Sequence, residues 1–322
     1  MTRYYVGVDV GGTNLRCAVV NDKHEVLSRH QCATCAAEGA QAVIGRIAEG
    51  MMRTVEEAGL KPANIAAAGV GIPGPINQRT GLVYSATNMP GWDNVALAQI
   101  LTERTGVTSF LENDANCAGW GEFMAGAGRD CNSMVMVTLG TGIGGAIILD
   151  GKLIIGCDGT AGEIGHMCIA DGGRVCGCGA RGCVEAYASA SSVARRFVDL
   201  LKEGWKSPLA AKGEAVTSQD IYTAADSGDP VAMHIVEETG RYLGILCNSL
   251  AEALNPELCV ISGGMIEAGE ELFAAIRTGC RERNRHPAPK TMEILPAALG
   301  ANAGLVGAAD CARVRLEGTI VN

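Results

Sequence analysis

Apolar positions along the chain fall into two alternating patterns. Short, nearly continuous apolar runs bounded by Gly, Pro or Asn read as strands buried in a sheet. They lie at residues 4–10, 15–20, 65–72, 109–112, 134–139, 146–149, 258–261 and 294–299, with 25–30 pairing as a further strand. Apolar residues at helical spacing mark the other segments. Ile44, Ile47, Met51 and Val55 predict a helix over 40–59 that ends near Gly59, with Pro62 beyond it. Further helices are predicted near 95–105, 116–127, 186–203, 230–254, 268–284 and 303–316, and 88–92 reads as a loop.

Strands and helices alternate in both halves, and the halves look alike. Each opens with a strand, a glycine turn and a second strand, followed by α/β units. This predicts an α/β chain of two lobes. The smaller lobe would span 1–117, joined by the last helix at 303–322. The larger would span 118–302 and carry a cysteine-rich loop at 157–185.

Composition narrows the function classes. Hydrophobic residues are 48% and charged residues 19% of the chain, as in ordinary globular proteins. No apolar run reaches the roughly 18 residues a membrane span needs, and the start of the chain shows no signal-peptide core. The net charge of −9 argues against a nucleic-acid surface. Fourteen cysteines without an export signal suggest a reducing cytosol, with thiols or bound metal in place of disulfides.

The cysteine-rich loop carries the strongest chemical signal. Gly162-Glu-Ile-Gly-His166 is followed by Cys176-Gly-Cys178 and Cys183-Val-Glu185. Three thiolates and an imidazole complete the tetrahedral shell that Zn²⁺ prefers, so His166, Cys176, Cys178 and Cys183 are the candidate ligands. A full shell leaves no position for water, which predicts a structural metal. The alternative is a set of reduced thiols. Glu163 and Glu185 are fixed by this loop and suit a hydroxyl-rich ligand, since each carboxylate accepts several hydrogen bonds; the alternative is loop charges in solvent.

Two glycine turns follow buried strands: Asp9-Val-Gly11-Gly12-Thr13 and Gly140-Thr141-Gly142-Ile-Gly144-Gly145. Successive N–H groups in such turns form an anion site, and both threonines can add hydroxyl donors. Asp9, beside a phosphate, would serve a metal ion or its waters. Two tight hairpins without a ligand are the alternative. The second turn also fits the dinucleotide spacing, but the segment after it reads as a strand where that motif needs a helix. No Gly-x4-Gly-Lys-[Ser/Thr] loop is present.

Asn113-Asp114 sits past a strand end, where open α/β sheets place their chemistry. Asp114 can accept a proton from a substrate hydroxyl. It can also cap the helix that follows, and on spacing alone the cap has the better claim. The pair Cys32 and Cys35 lacks further ligands and reads as incidental. Trp92 reads as packing before ligand stacking, and Arg281 to His286 as a solvated helix end.

With these residues in hand, the chain resembles the ROK family of sugar kinases, its bacterial glucokinases in particular. The carrying motifs are Asp9-Val-Gly-Gly-Thr-Asn, Gly71-Ile-Pro-Gly-Pro, Glu112-Asn-Asp-Ala-Asn116, Leu139-Gly-Thr-Gly-Ile-Gly-Gly, Gly162-Glu-Ile-Gly-His and the Cys176–Glu185 segment. The resemblance implies a two-lobed actin-like ATPase (ribonuclease H-like) fold. It makes Asp114 the base for a hexose 6-hydroxyl and Asn113, Glu163, His166 and Glu185 sugar contacts, with Gly74 and Asn88 lining the pocket. Gly11, Gly12, Thr13 and the turn with Gly140, Thr141, Gly142 and Gly144 would hold ATP phosphates, accompanied by Mg²⁺. Gly263 and Gly264 would border the adenosine. The implied enzyme is a cytoplasmic, homodimeric glucokinase whose lobes close on the sugar. A kinase for N-acetylmannosamine, N-acetylglucosamine, allose or fructose, and a non-catalytic sugar sensor, remain alternatives, as does polyphosphate as donor. Some members are repressors with an N-terminal helix-turn-helix, for which a chain starting at its first strand leaves no room.

Overall fold

The computed structural model describes residues 2–86, 89–283 and 286–318. The chain opens with β1 (Tyr4–Val10), β2 (Asn14–Asn21) and β3 (Val26–Ala33), then α1 (Ala40–Glu57) and β4 (Ile65–Ile72). A small antiparallel sheet of β5 (Ile76–Asn77), β6 (Leu82–Ser85) and β7 (Asp93–Val95) precedes α2 (Leu97–Thr105), β8 (Ser109–Asn113) and α3 (Asp114–Ala125). Then come β9 (Met134–Leu139), β10 (Ile143–Leu149), β11 (Lys152–Leu153), α4 (Glu185–Ala188), α5 (Ala190–Lys202), α6 (Ser218–Asp226) and α7 (Pro230–Leu254). The chain finishes with β12 (Leu258–Ser262), α8 (Gly269–Arg281), α9 (Ala288–Thr291), β13 (Glu293–Pro296) and α10 (Ala303–Leu316). No described helix is long and apolar enough to cross a membrane.

Tertiary contacts divide the chain into two compact units. One comprises Met1–Asn132, Ala146–Gly162 and Ala298–Asn322; the other comprises Ser133–Gly145 and Glu163–Ala297. α3 runs unbroken through residues 117 and 118, so the contacts of this helix keep 118–125 with the N-terminal part of the chain.

The first unit is built on a five-stranded sheet in the order β3-β2-β1-β4-β8. β1 and β2 are antiparallel, while β4 lies parallel to both β1 and β8. One face packs Val6, Val8 and Val10 against Ile44, Ile47 and Met51 of α1 and Leu97 and Leu101 of α2, a core that also absorbs Trp92. On the other face Tyr5, Ala18, Val20 and Ala67 meet Leu305, Ala309 and Ala312 of α10.

Glycines set how closely α10 approaches. A Cβ on Gly7 would lie 1.9 Å from the Leu305 carbonyl oxygen, and one on Gly69 would lie 1.8 Å from that of Ala308. Helix backbone therefore rests directly on strand backbone, with no side chain able to yield. We expect Gly69→Ala to cost about 3 kcal/mol, near the top of the usual overpacking range, measured as a lowered urea midpoint at unchanged slope. A midpoint equal to that of the parent would show that the helix can lift without penalty.

The second five-stranded sheet runs β11-β10-β9-β12-β13. β12 is parallel to β9 and β13. Beside it α7 and α8 pack through small residues, with Gly240 against Ala275 and Gly244 against Gly279. α7 begins with Asp229 accepting from the N–H groups of Val231 and Ala232 and with Pro230 in the first turn, a strong helix start.

Candidate functional site

In the first unit the β1–β2 turn is tight. The N–H of Gly11 donates to the Asn14 carbonyl at 2.9 Å, and Thr34 ties down the turn through its Oγ1 to the Gly11 carbonyl at 2.6 Å. Gly12 and Thr13 stand exposed at its tip, and a Cβ on Gly12 would meet nothing within 4 Å. Asp9, at the strand end, accepts from Arg16 Nη1 at 3.4 Å. Burial pushes its carboxyl above the usual carboxylate range, against the pull of Arg16. Gly74 has φ +100° and would place a Cβ 2.4 Å from the Ser85 carbonyl, so only glycine fits. Asn88 lies outside the described residues.

The junction of β8 and α3 separates two roles that spacing alone had left open. Asn113 is the helix cap: its Oδ1 accepts from the N–H groups of Ala115 at 2.9 Å and Asn116 at 3.2 Å. Asp114 is the first helical residue, and its Oδ1 accepts from the Ala115 N–H at 2.9 Å. The cap expected of Asp114 is thus made by its neighbour, one residue earlier, because the helix starts at 114 and not at 116.

In the second unit, β10 starts at Ile143, inside the glycine turn. A strand therefore follows these glycines, as the rejection of the dinucleotide motif required. Several hydrogen bonds pin the turn. Gly140 N–H donates to the Gly142 carbonyl at 3.0 Å, Gly144 N–H to Thr138 Oγ1 at 3.1 Å, and Ser191 Oγ to the Thr141 carbonyl at 2.8 Å. Gly140 and Thr141 remain exposed. Gly263 has φ +96°, and a Cβ there would lie 2.1 Å from the Leu139 carbonyl, while Gly264 faces open space.

The loop from 163 to 185 holds little regular structure: one turn of 3₁₀ helix at Ile164–His166 and two isolated bridges, Cys168 to Cys183 and Val175 to Arg181. Its four candidate ligands nevertheless converge. The ligand atoms of His166, Cys176, Cys178 and Cys183 all lie within 4.8 Å of one another. Cys178 and Cys183 sulfurs are 3.8 Å apart, and Cys176 Sγ is 3.7 Å from His166 Nδ1. A tetrahedron with Zn–S of about 2.3 Å and Zn–N of about 2.0 Å has edges of roughly 3.8 Å and 3.5 Å. The set therefore fits zinc in donor type, and these two edges are close to those of a zinc tetrahedron. Burial pushes the Cys176 thiol up to about 12, while the Ala180 N–H draws Cys178 below the usual thiol range.

With Nδ1 turned to the sulfurs, His166 presents Nε2 to Glu163, 3.9 Å from Oε2, and both side chains are exposed. Glu185 points elsewhere within the unit. Its Oε2 accepts from the Ile143 N–H at 2.8 Å, and its Oε1 accepts from Cys176 Sγ at 3.5 Å. A Cβ on Gly142 would lie 2.5 Å from that carboxylate. Glycine at 142 is what lets the cysteine loop grip the turn.

Sequence reasoning assigned no role to Glu112, which the structure buries in a network of hydrogen bonds. A carboxylate near the end of a buried strand was the available signal.

Comparison with known proteins accords with these motifs. The model of the ROK family matches residues 5–315. A glucokinase of Halalkalibacterium halodurans is 36% identical over 95% of this chain and 93% of its own. The crystal structure of a ROK hexokinase from Thermus thermophilus superposes with a TM-score of 0.85 at 34% identity, covering 99% of this chain and all of that one. That of a ROK family glucokinase from Streptomyces griseus in complex with glucose and AMPPNP gives 0.78 at 33% identity, covering 96% and 99%. A strand–glycine turn–strand in each unit, an acid at the β8–α3 junction and a cysteine–histidine loop are thus found in a chain that belongs to the ROK family.

Proposed function

We propose that the chain is an ATP-dependent, hexokinase-type sugar kinase that converts glucose to glucose 6-phosphate. The observation that carries this is the near full-length match to a glucokinase that binds glucose and an ATP analogue, in a chain that keeps Asp114 at the strand–helix junction.

Asp114 orients the 6-hydroxyl and accepts its proton as the phosphoryl group arrives. The Asn113 amide nitrogen is left to meet a neighbouring sugar hydroxyl, since its oxygen caps α3. Glu163 and the Nε2 of His166 bind further hydroxyls, and Gly74 keeps its turn slim beside the sugar. The N–H groups of Gly12, Thr13 and Thr141 bind the nucleotide phosphates, with Gly140, Gly142 and Gly144 shaping the second turn and Gly263 and Gly264 beside the adenosine. Mg²⁺ bound with the nucleotide would offset phosphate charge, and Asp9, near the end of β1, would hold it or its waters. Zinc would lock the loop that carries Glu163. The assembly expected is a cytoplasmic homodimer.

A coupled ATP-to-ADP assay over a sugar panel tests the reading. Glucose should give the highest kcat/KM, and phosphorus NMR of the product should show a 6-phosphate. A higher kcat/KM for N-acetylmannosamine would reassign the acceptor, and sugar binding without turnover would make the chain a sensor.

A further inference from the structure

We propose that the buried pair Glu112–Arg315 positions Asp114 for proton transfer; this deepens the reading of Asp114 as the base and rests on it. Glu112 is the penultimate residue of β8 and is 2% exposed. Its Oε2 accepts from Arg315 Nη2 at 2.9 Å. Its Oε1 accepts three more hydrogen bonds: from the Asn113 N–H at 3.0 Å, Asn116 Nδ2 at 3.1 Å and Gln78 Nε2 at 3.2 Å. Arg315, from the last turns of α10, also donates from Nη1 to the Gln78 carbonyl at 2.6 Å.

A charge this deep is costly to bury, and an apolar side chain would fill a strand position with less penalty. What the carboxylate supplies is direction. Two of its donors bracket Asp114 in sequence, one residue before it and two after. Asn113 Oδ1 closes the same bracket by accepting from Ala115 and Asn116. From the β4 side, Gly71 is in register with Glu112, and a Cβ there would stand 3.5 Å from Asp114 Cα. The backbone that carries the base is therefore held before, behind and beneath. A general base must sit within about 0.5 Å of its productive position, and an error of about 1 Å costs roughly 10²-fold in rate. Arg315 fixes Glu112, Glu112 fixes the turn, and the turn aims Asp114.

The test compares Glu112→Gln, Glu112→Leu and Asp114→Asn in the full chain. Each is measured for kcat, ATP KM, glucose affinity by calorimetry and thermal midpoint, with assays far below melting. Glu112→Gln keeps an acceptor oxygen for Asn113 and Asn116 but loses the charge facing Arg315; Glu112→Leu loses both. We expect kcat to fall about tenfold in the first and about 100-fold in the second, with ATP KM within about threefold of the parent. A folded Glu112→Leu with kcat within about threefold of the parent overturns the proposal, since a merely structural role moves the midpoint alone. If Glu112→Leu does not fold, Glu112→Gln decides: a tenfold fall in kcat supports the role and an unchanged kcat overturns it. Turnover retained in Asp114→Asn would remove the base assignment itself, an outcome read independently of the two Glu112 variants.

Discussion

Asp114→Ala is expected to lower kcat by about 10³-fold or more while glucose affinity stays within about threefold. General-base removal alone accounts for roughly 10²–10⁴-fold. The structure explains why the loss should be confined to chemistry. Asn113, not Asp114, caps α3, so the cap survives the substitution. Alanine is a good residue for the first helical turn, and Asp114 stands outside the buried core on this strand–helix junction. The thermal midpoint should therefore shift little. Calorimetry with glucose and a coupled assay for turnover measure the two quantities separately. Near-parental turnover would remove Asp114 from the reaction, and a loss of glucose binding equal to the loss of rate would make it a binding group instead.

Much of the scaffold was legible because long periodic segments leave little choice. The helix of residues 230–254 and the last helix of 303–316 have the observed bounds of α7 and α10. The strands of 65–72 and 134–139 likewise match β4 and β9. Asp229-Pro230 announces its helix in sequence because the capping interaction is local. What stayed hidden was short or distant. The strands β5, β6 and β7 have two to four residues each, too few to show a period. β10 begins among glycines, which carry no side chain to register a pattern. The cap shift from Asp114 to Asn113 moves by one residue, below what spacing resolves. The grip of Glu185 on Ile143 spans 42 positions, and that of Arg315 on Glu112 spans 203. No local pattern carries such pairs. A buried acid implies that a partner exists but does not say which.

Removing the proposed zinc should affect both the cysteine loop and the glycine turn. Between Glu163 and Glu185 the backbone has one 3₁₀ turn, two isolated bridges and scattered loop hydrogen bonds, and four bonds to a single cation would add a restraint that joins the two ends of the loop. A zinc-loaded preparation is expected to hold about one zinc per chain by elemental analysis. In a verified metal-free sample, glucose affinity should fall at least tenfold, because Glu163 sits at the start of the turn that carries His166. ATP KM should rise as well, because Glu185, two residues past the ligand Cys183, accepts from the Ile143 N–H of the glycine turn. Zinc must displace thiol protons to bind, and burial raises the Cys176 thiol to about 12. Protons therefore compete with the metal, and zinc affinity should weaken as pH falls. Metal-free protein that binds glucose as tightly as the loaded form would refute the restraint. If glucose binding weakened and ATP KM did not, the sugar side of the loop would depend on the metal while Glu185 held the turn without it.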